Sequence, residues 1–551
     1  MRVDNTLKFQ FRNIVENYFN LLTLLTFIFI TTIGIVNHEM WRDELEAWLI
    51  ARDSASISEL LENIKYTGHP ALWYLCLYFL AKITPDPSIM QLFHLVVATG
   101  VIYIFLYYST FNRLQKTLFC FGYFPLYEYG TISRSYSLGI LFVFLSCALF
   151  CQKNRNYIAI VAVLALLSHT SVYGSIIGIS LAVMLVYEAK AEVNRRHILI
   201  VEGGKYMTLK LRNIAKNFTI SIAIYLFGLL SAIAQIIPPS DAERKGMIYS
   251  AIVKSNNSEF FNFLEKSKSV FTGIWRSYVP IPNLSTKSWG SNIIPDDSEF
   301  LNIKLQYIAD IDIASIIIVS LSLLLFLIFT IIFFRSRKVL ILYAFGTSLI
   351  TLFGLVIKLP AIRHNGHLFI LLIACFWIYI YDTKYSHYIF SKHYLLNLIY
   401  SYRNMLLTII LSLHLYAGAL MYNMDLNRAF SNSKSVAQFI KENNLEELTI
   451  IGSSYGLISP ISAWLNKKIY YPEIQDFGTF AVWTSNSKPR NNITQRDILD
   501  RVEELTEDTH DSFLLILDHE LNSISTSLDI QLLASYKNSL VKEDYFIYSV
   551  D

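Results

Sequence analysis

Residues 20–36 read Asn-Leu-Leu-Thr-Leu-Leu-Thr-Phe-Ile-Phe-Ile-Thr-Thr-Ile-Gly-Ile-Val, 17 positions without a charged side chain. A helix that crosses a bilayer needs about 20 mostly apolar residues, so this run is read as a membrane anchor. The head before it carries Arg2, Lys8 and Arg12. Cationic flanks stay on the cytoplasmic side, which puts the N-terminus there and whatever follows residue 36 on the other side. No small-residue cleavage site follows. Met40-Trp41-Arg42-Asp43-Glu44-Leu45-Glu46 comes instead, which argues for an anchor and against a signal peptide.

Composition extends that reading to the whole chain. Of 551 residues, 54% are hydrophobic and 16% charged, with a mean hydropathy of +0.41. That is too apolar for a soluble protein. Further apolar segments lie at 71–83, 89–111, 117–127, 136–151, 157–167, 172–187, 218–237, 313–334, 339–357, 368–381 and 404–424. The expected fold is a polytopic α-helical membrane protein of about 11–13 spans. Lys190, Arg195, Arg196, Lys205, Lys210, Arg212 and Lys216, the turn Arg335, Arg337 and Lys338, and the basic stretch 382–403 are assigned to the cytoplasm. Residues 238–312, the Arg363-His364 turn and everything after 424 then fall outside. Twelve crossings would return the C-terminus inside, so one candidate does not cross: either 71–83, bounded by Pro70 and Pro85, or 117–127, interrupted by Pro125. Proline removes a helix donor where lipid supplies no replacement.

A net charge of +3 without a basic domain excludes nucleic acid as a partner. Cys76, Cys120, Cys147, Cys151 and Cys375 lie in or at the ends of apolar segments, so no disulfide or thiolate metal site is expected. Residues 425–551 change character. Helices are predicted at Val436–Glu442, Ile458–Asn466 and Gln495–Glu504, and strands at Leu448–Gly452, Lys468–Tyr471, Phe513–Leu517 and Tyr545–Val550. This alternation describes a small three-layer α/β domain. Gly452-Ser453-Ser454-Tyr455-Gly456 follows a strand but lacks the Walker lysine, and a plain turn is the better reading than a phosphate loop.

The chemistry is expected in the first external loop, 37–70. From Trp41 to Pro70 apolar Leu45, Trp48 and Leu49 alternate at helical spacing with Arg42, Glu46, Arg52 and Asp53, the pattern of a helix lying in the interface. Such a helix holds Asp43 and Glu44 at headgroup depth, although acids also suit any helix start. Gly68-His69-Pro70 follows, and a second external turn, Glu128-Tyr129-Gly130-Thr131-Ile132-Ser133-Arg134-Ser135-Tyr136, brings another acid and a base to the same face.

Trp41-Arg42-Asp43-Glu44 with Ala47 and Ala51, Gly68-His69-Pro70-Ala71-Leu72-Trp73-Tyr74 and Ser133-Arg134-Ser135-Tyr136 together resemble the N-terminal half of the GT-C superfamily. Those are polyprenyl-phosphate-sugar-dependent glycosyltransferases, including the protein O-mannosyltransferases and the lipid A aminoarabinose transferase. The similarity covers about the first 190 residues, together with the plan of many spans followed by an external C-terminal domain. It implies that residues 1–424 form the catalytic membrane domain, that Asp43 supplies the catalytic carboxylate with Glu44 beside it, and that no metal is required. It also implies a polyprenyl-phosphate-sugar donor and a glycan, lipid or protein acceptor.

The chemistry fits the residues independently. An acceptor hydroxyl attacking an anomeric carbon must lose a proton, which a carboxylate can accept, and the departing phosphate suits arginine. Arg134, Arg363 and His364 are the candidate phosphate partners, with Arg42, His69, Glu128, Tyr136 and His169 as further substrate contacts. Each has a plainer reading. Arg134 could be an interfacial anchor, His69 a turn residue, Glu128 the ion-pair partner of Arg134 and His169 a satisfied helix end. Arg363 between apolar segments is the hardest to dismiss, because charge near hydrocarbon is costly unless paired. His94 and His414 lie within spans and are read as packing. Asp43, Glu44 and Glu128 could surround a divalent cation, but no His- or Cys-rich ligand spacing supports one. Trp275, Arg276, Tyr278, Pro280, Pro282 and Trp289 in the loop 238–312 suggest a lid or an interfacial aromatic belt. The alternative function is a transporter of lipid-linked sugars, which would place charges at mid-bilayer instead of at one face. The expected location is a bacterial inner membrane, with the site and the C-terminal domain extracytoplasmic.

Overall fold

The computed structural model describes residues 2–200, 206–242, 259–283, 289–294, 313–357, 361–384, 394–482, 493–509, 512–522 and 527–551. Parts of the basic segment 190–216, of the loop 238–312 and of the stretch 382–403 therefore lie outside the described residues, including Lys205. Among the described residues, eight helices are long and apolar enough to cross a membrane: Ile14–Asn37, Ser88–Tyr108, Val172–Ala191, Thr219–Ile236, Ile316–Phe333, Arg337–Val356, Ile362–Thr383 and Leu398–Asn427. The protein is a polytopic helical membrane protein. In the first span, Thr23, Thr26 and Thr32 turn their hydroxyls back onto carbonyls four residues earlier, which satisfies them without water. The five cysteines are all free.

Two layers of ion pairs mark the ends of these helices. In one, Arg134 and Arg363 pair with Asp43. In the other, Arg155 and Lys338 pair with Glu188, and Lys338 also pairs with Asp382. Arg363 and Asp382 belong to the same helix, 19 residues apart. At about 1.5 Å per residue that separation is close to 30 Å, the thickness of a bilayer's hydrocarbon.

The two proline-marked segments differ in what they do between these layers. Leu72–Ala81 is a 10-residue helix. Its entry is tied to His169, whose carbonyl accepts from Leu72 N–H, and just past its exit Pro85 accepts from Trp48 Nε1. Both ends thus stay beside the first loop. The second segment breaks into a helix, Arg113–Cys120, and a π-helical turn, Tyr123–Glu128, containing Pro125. It begins where Arg113 and Lys116 pair with Glu16 and ends at Glu128, next to the Asp43 layer. The short helices Ser135–Phe150 and Tyr157–Ser168 also join the two layers.

The first loop holds two helices, Arg42–Asp53 and Ile57–Ile64. Ser56 stops the continuation by accepting from Glu59 N–H as an N-cap. Leu45, Trp48 and Leu49 are buried as expected, together with Ala47, Ile50 and Ala51. Gly68, at φ 69°, turns the chain back into His69-Pro70.

The region read as a surface loop contains a 20-residue helix, Glu259–Tyr278, inserted among the spans. Trp275 N–H donates to Ser322 Oγ, and Tyr278 meets Tyr343 hydroxyl to hydroxyl at 3.2 Å. Its charges, Lys266 and Lys268 among them, hide this helix from a hydropathy scan. The Arg363-His364 pair likewise belongs to the first turn of the helix Ile362–Lys384 and not to a connecting turn.

The C-terminal part forms a six-stranded sheet: β1 (Thr449–Gly452), β2 (Ile469–Tyr471), β3 (Asp476–Gly478), β4 (Phe513–Leu517), β5 (Ile530–Tyr536) and β6 (Tyr545–Val550), in the order β3-β2-β1-β4-β6-β5. β1 runs parallel to β2 and β4, and the other pairings are antiparallel. Val436, Ile440, Ile458 and Ile461 cover one face, and Ile498, Leu499 and Val502 the other. Consecutive Ile450 and Ile451 divide between the two cores, as the two-residue strand repeat requires. In the turn after β1, Ser453 Oγ donates to Glu473 Oε1, and Ser454 N–H donates to the same oxygen. The protein's own carboxylate thus occupies the place where a phosphate loop would bind an anion.

Candidate functional site

Trp41 is extended, at φ −100° and ψ 177°, and the helix Arg42–Asp53 starts immediately after it. Consecutive helical residues point about 100° apart, so Asp43 and Glu44 leave the first turn in different directions. The Asp43 side chain is 21% exposed. Arg134 Nη1 donates to Asp43 Oδ2, and Arg363 Nη2 lies 3.1 Å from the same oxygen. Oδ1 has Arg42 Nε at 3.9 Å. The two inner arginines and Arg42 outweigh burial, which on its own would raise the Asp43 pKa, and hold the carboxyl well below the usual range. The Asp43 charge in turn keeps Arg134 firmly cationic against its own burial.

Aromatic rings wall this centre. The Arg363 guanidinium sits 5.4 Å from the Trp41 ring centroid and 5.6 Å from that of Trp289, and the two indoles meet edge to face at 5.1 Å. Arg134 lies 5.2 Å above Tyr136, which packs edge-on against His364. His364 stacks on Tyr173 at 5.1 Å. Behind Trp289, Glu128 Oε2 accepts from Trp289 Nε1 and from the Tyr123 hydroxyl, each at 3.0 Å. Two buried donors at the centre, Arg363 Nε and Trp41 Nε1, have no hydrogen-bond partner among the described residues.

Glu44 is fully buried. It accepts from Ser133 N–H at 2.6 Å and from Trp41 N–H at 3.3 Å, and lies 3.0 Å from His38 Nε2. On its other side His38 Nδ1 is 2.8 Å from Asp425. Burial pushes the His38 imidazole down, but Asp425 and Glu44 outweigh it and raise its pKa to about 10. The trio is a buried imidazolium between two carboxylates, joining the end of the first span, the first loop and the last span. Glu44 belongs to this fastening, apart from the arginines that hold Asp43.

The remaining expected residues divide. Arg134 and Arg363 converge on Asp43, with Tyr136 against Arg134 and His364 packed on Tyr136. Arg42 stands at the rim, its side chain 46% exposed. Glu128 joins through Trp289, not as the direct salt-bridge partner of Arg134. His69 and His169 belong to a neighbouring corner, where Ala71 N–H donates to Gln235 Oε1 and His169 Nε2 lies 2.9 Å from Ser231 Oγ. His94 bonds the Tyr129 carbonyl and His414 stacks on Phe369 at 3.9 Å, both as packing residues. Asp43, Glu44 and Glu128 face three separate surroundings, and among the described residues no three His, Cys, Asp or Glu side chains converge as a metal site. His38, Asp425 and Phe430, which packs on Trp41 and Trp289, do not stand out in the sequence because apolar or loop neighbours surround them, and Trp289 stands out only as one of the aromatics of the loop 238–312. No family model, curated protein or solved structure matches the chain.

Proposed function

We propose that the protein is a membrane glycosyltransferase that moves a sugar from a polyprenyl-phosphate carrier to an acceptor hydroxyl, with inversion, at the extracytoplasmic face of a bacterial plasma membrane. The observation that carries this reading is the Asp43 centre: one ionised carboxylate among three arginines, walled by indoles, at the end of a bundle of apolar helices. Its surplus positive charge and the unpartnered Arg363 Nε and Trp41 Nε1 suit an anion. The apolar helices suit that anion's lipid tail. The motifs Trp41-Arg42-Asp43-Glu44, His69-Pro70 and Ser133-Arg134-Ser135-Tyr136, which resemble those of GT-C enzymes, support the same conclusion. Among the described residues, the eight long apolar helices and the broken and short segments allow eleven crossings, in keeping with a C-terminal sheet domain on the Asp43 side, and the Lys- and Arg-rich connections favour a cytoplasmic place for the other layer.

The proposed step is a displacement. The acceptor oxygen bonds to the anomeric carbon, the bond from that carbon to the phosphate oxygen breaks, and polyprenyl phosphate leaves with the electron pair. The acceptor proton passes to Asp43. A carboxylate held by two arginines is a weak base. When the donor's phosphate takes Arg134 and Arg363, their charge is shared, and the proton affinity of Asp43 rises where and when it is needed. Oδ1, which has only the distant Arg42 Nε beside it, is the oxygen offered to the acceptor. Arg134 and Arg363 then stabilise the charge that builds on the leaving phosphate.

The test is transfer from radiolabelled polyprenyl-phosphate sugars by the purified protein, with Asp43→Asn as comparison. Transfer by the wild type and loss in the variant are expected. Equal turnover by the variant removes Asp43 from the chemistry. Movement of lipid-linked sugar across liposomes without transfer would favour a transporter.

A further inference from the structure

The first loop does not hold its shape alone. The C-terminal domain grips it along its length: Ser435 Oγ donates to Glu39, Ser433 Oγ to the Met40 carbonyl, and Arg52 reaches the Ala463 carbonyl. Ala463 also joins the core formed by Leu45, Trp48 and Leu49, with Trp464 packed against it. The contact nearest Asp43 is made by Glu543. Its carboxylate accepts from Arg42 N–H at 3.1 Å, has Arg42 Nε at 3.9 Å, and leaves 1% of the side chain exposed.

The first N–H groups of a helix have no partner within the helix. Here Glu44 takes that of Trp41, and Glu543, from some 500 residues away in sequence, takes that of Arg42. Glu543 is itself held on a turn whose geometry leaves little play. Its N–H donates to Ser539 Oγ at 2.7 Å, and its carbonyl accepts from Asn432 Nδ2 at 3.1 Å. Leu540 and Val541 bond the carbonyls of Ala429 and Phe430, at the end of the last span. A rigid path therefore runs from the last span, through the turn before β6, to the residue adjoining Asp43.

We infer that Glu543 is a positioning residue, through which the C-terminal domain sets the first turn of the helix Arg42–Asp53 and so the place of the Asp43 carboxylate. For its kinetic arm the inference rests on the glycosyltransferase reading. A displacement of about 1 Å at a reacting group is enough to cost on the order of 100-fold in rate.

The experiment compares full-length wild type, Glu543→Ala and Glu543→Gln. It measures kcat and KM with a polyprenyl-phosphate sugar, and amide hydrogen exchange in the segment Met40–Leu49. Glu543→Ala is expected to lower kcat about 10- to 100-fold with little change in KM, and to speed exchange in that segment. Glu543→Gln keeps an oxygen that accepts from Arg42 N–H and is expected within about 3-fold of wild type, on the scale of one retained hydrogen bond. Wild-type kcat and exchange in Glu543→Ala would overturn the inference. So would equal impairment of both variants, which would make charge rather than position the cause. A pH series adds a second reading. Burial first, and then the Asp43 charge, raise the Glu543 pKa to about 7 against the Arg42 contacts, with Tyr545 the other titratable neighbour. The protonated carboxyl still accepts from Arg42 N–H, as Gln does, so kcat near neutral pH should change no more in wild type than in Glu543→Gln, and a large inflection confined to wild type would make charge the cause and overturn the inference. Exchange requires no turnover. A wild type that transfers no sugar would thus defeat the enzymatic reading, while faster exchange in Glu543→Ala would still uphold the hold on the loop.

Discussion

Asp43 and Glu44 are consecutive carboxylates on one helical turn, and the protein uses them in opposite ways. Asp43 keeps a partly exposed side chain and is held by the guanidinium groups of Arg134 and Arg363. Glu44 is closed off from solvent, its oxygens engaged by backbone N–H groups and by an imidazolium. A half-open ion cluster can exchange partners during a reaction, whereas a closed one can only hold parts together. On the proposed reading, the same residue type serves chemistry or architecture according to which face of the helix carries it.

The strongest way to break that comparison is to neutralise each member. Asp43→Asn should lose about 10²- to 10⁴-fold in sugar transfer, the usual contribution of a general base, while the thermal midpoint in detergent stays near wild type. Glu44→Ala should do the reverse. It strands His38 as a buried charge with half its compensation and should destabilise by about 3–5 kcal/mol, seen as a fall in thermal midpoint. If Glu44→Ala folds as well as wild type, the buried trio is not the fastening described above. Next in size is Arg363→Lys, which keeps the charge but loses the planar fork set between Trp41 and Trp289. A loss of about 10²-fold in kcat is expected, comparable to removal of one oxyanion donor. A wild-type rate would mean that Arg363 is only a counter-ion to Asp43.

A pH series sharpens the architectural side. The folded-state pKa of His38 is raised from 6.5 to about 10. In the folded protein the imidazolium keeps its proton over a range where the unfolded chain releases it. The stabilisation is therefore complete below about pH 6.5 and declines as pH rises toward 10. The thermal midpoint of wild type should fall across that window more steeply than that of His38→Gln. Parallel curves would show that His38 is neutral in its buried site.

Much of this was legible in the sequence for a definite reason: hydropathy and helical period report which side of an element is buried. That is why the spans, the buried Leu45-Trp48-Leu49 face and most strands of the C-terminal sheet could be located in advance. β5 was missed because, as an edge strand with Leu532 and Leu533 exposed, it does not alternate as a half-buried strand should. β3 was missed because three residues carry no period. In the site, Asp43, Arg134 and Arg363 stood out because charge beside hydrocarbon demands a partner. Their convergence, and the separation of Glu44 from Asp43, depend on contacts spanning 89 to 387 positions that no local pattern encodes. Trp289 was grouped with the aromatics of a loop, and nothing nearby in sequence indicated that it would stand between Arg363 and Glu128.

Trp289 therefore supplies the finest test of the boundary between the open and closed clusters. Its ring faces Arg363 on the ligand side, while its N–H donates to Glu128 on the buried side. Trp289→Phe keeps an aromatic face and removes the donor. Glu128 would retain the Tyr123 hydroxyl but lose the other of its two hydrogen-bond donors. Removing one such bond from a charged group is worth about 1.5–3 kcal/mol, spread here between the placement of Glu128 and the wall of the pocket. A several-fold rise in KM for the lipid-linked donor, with a smaller change in kcat, is the outcome expected if Trp289 serves mainly as wall. A fall in kcat with unchanged KM would instead draw Glu128 into the reaction, and the line between the chemical and the architectural carboxylates would have to be redrawn to include it.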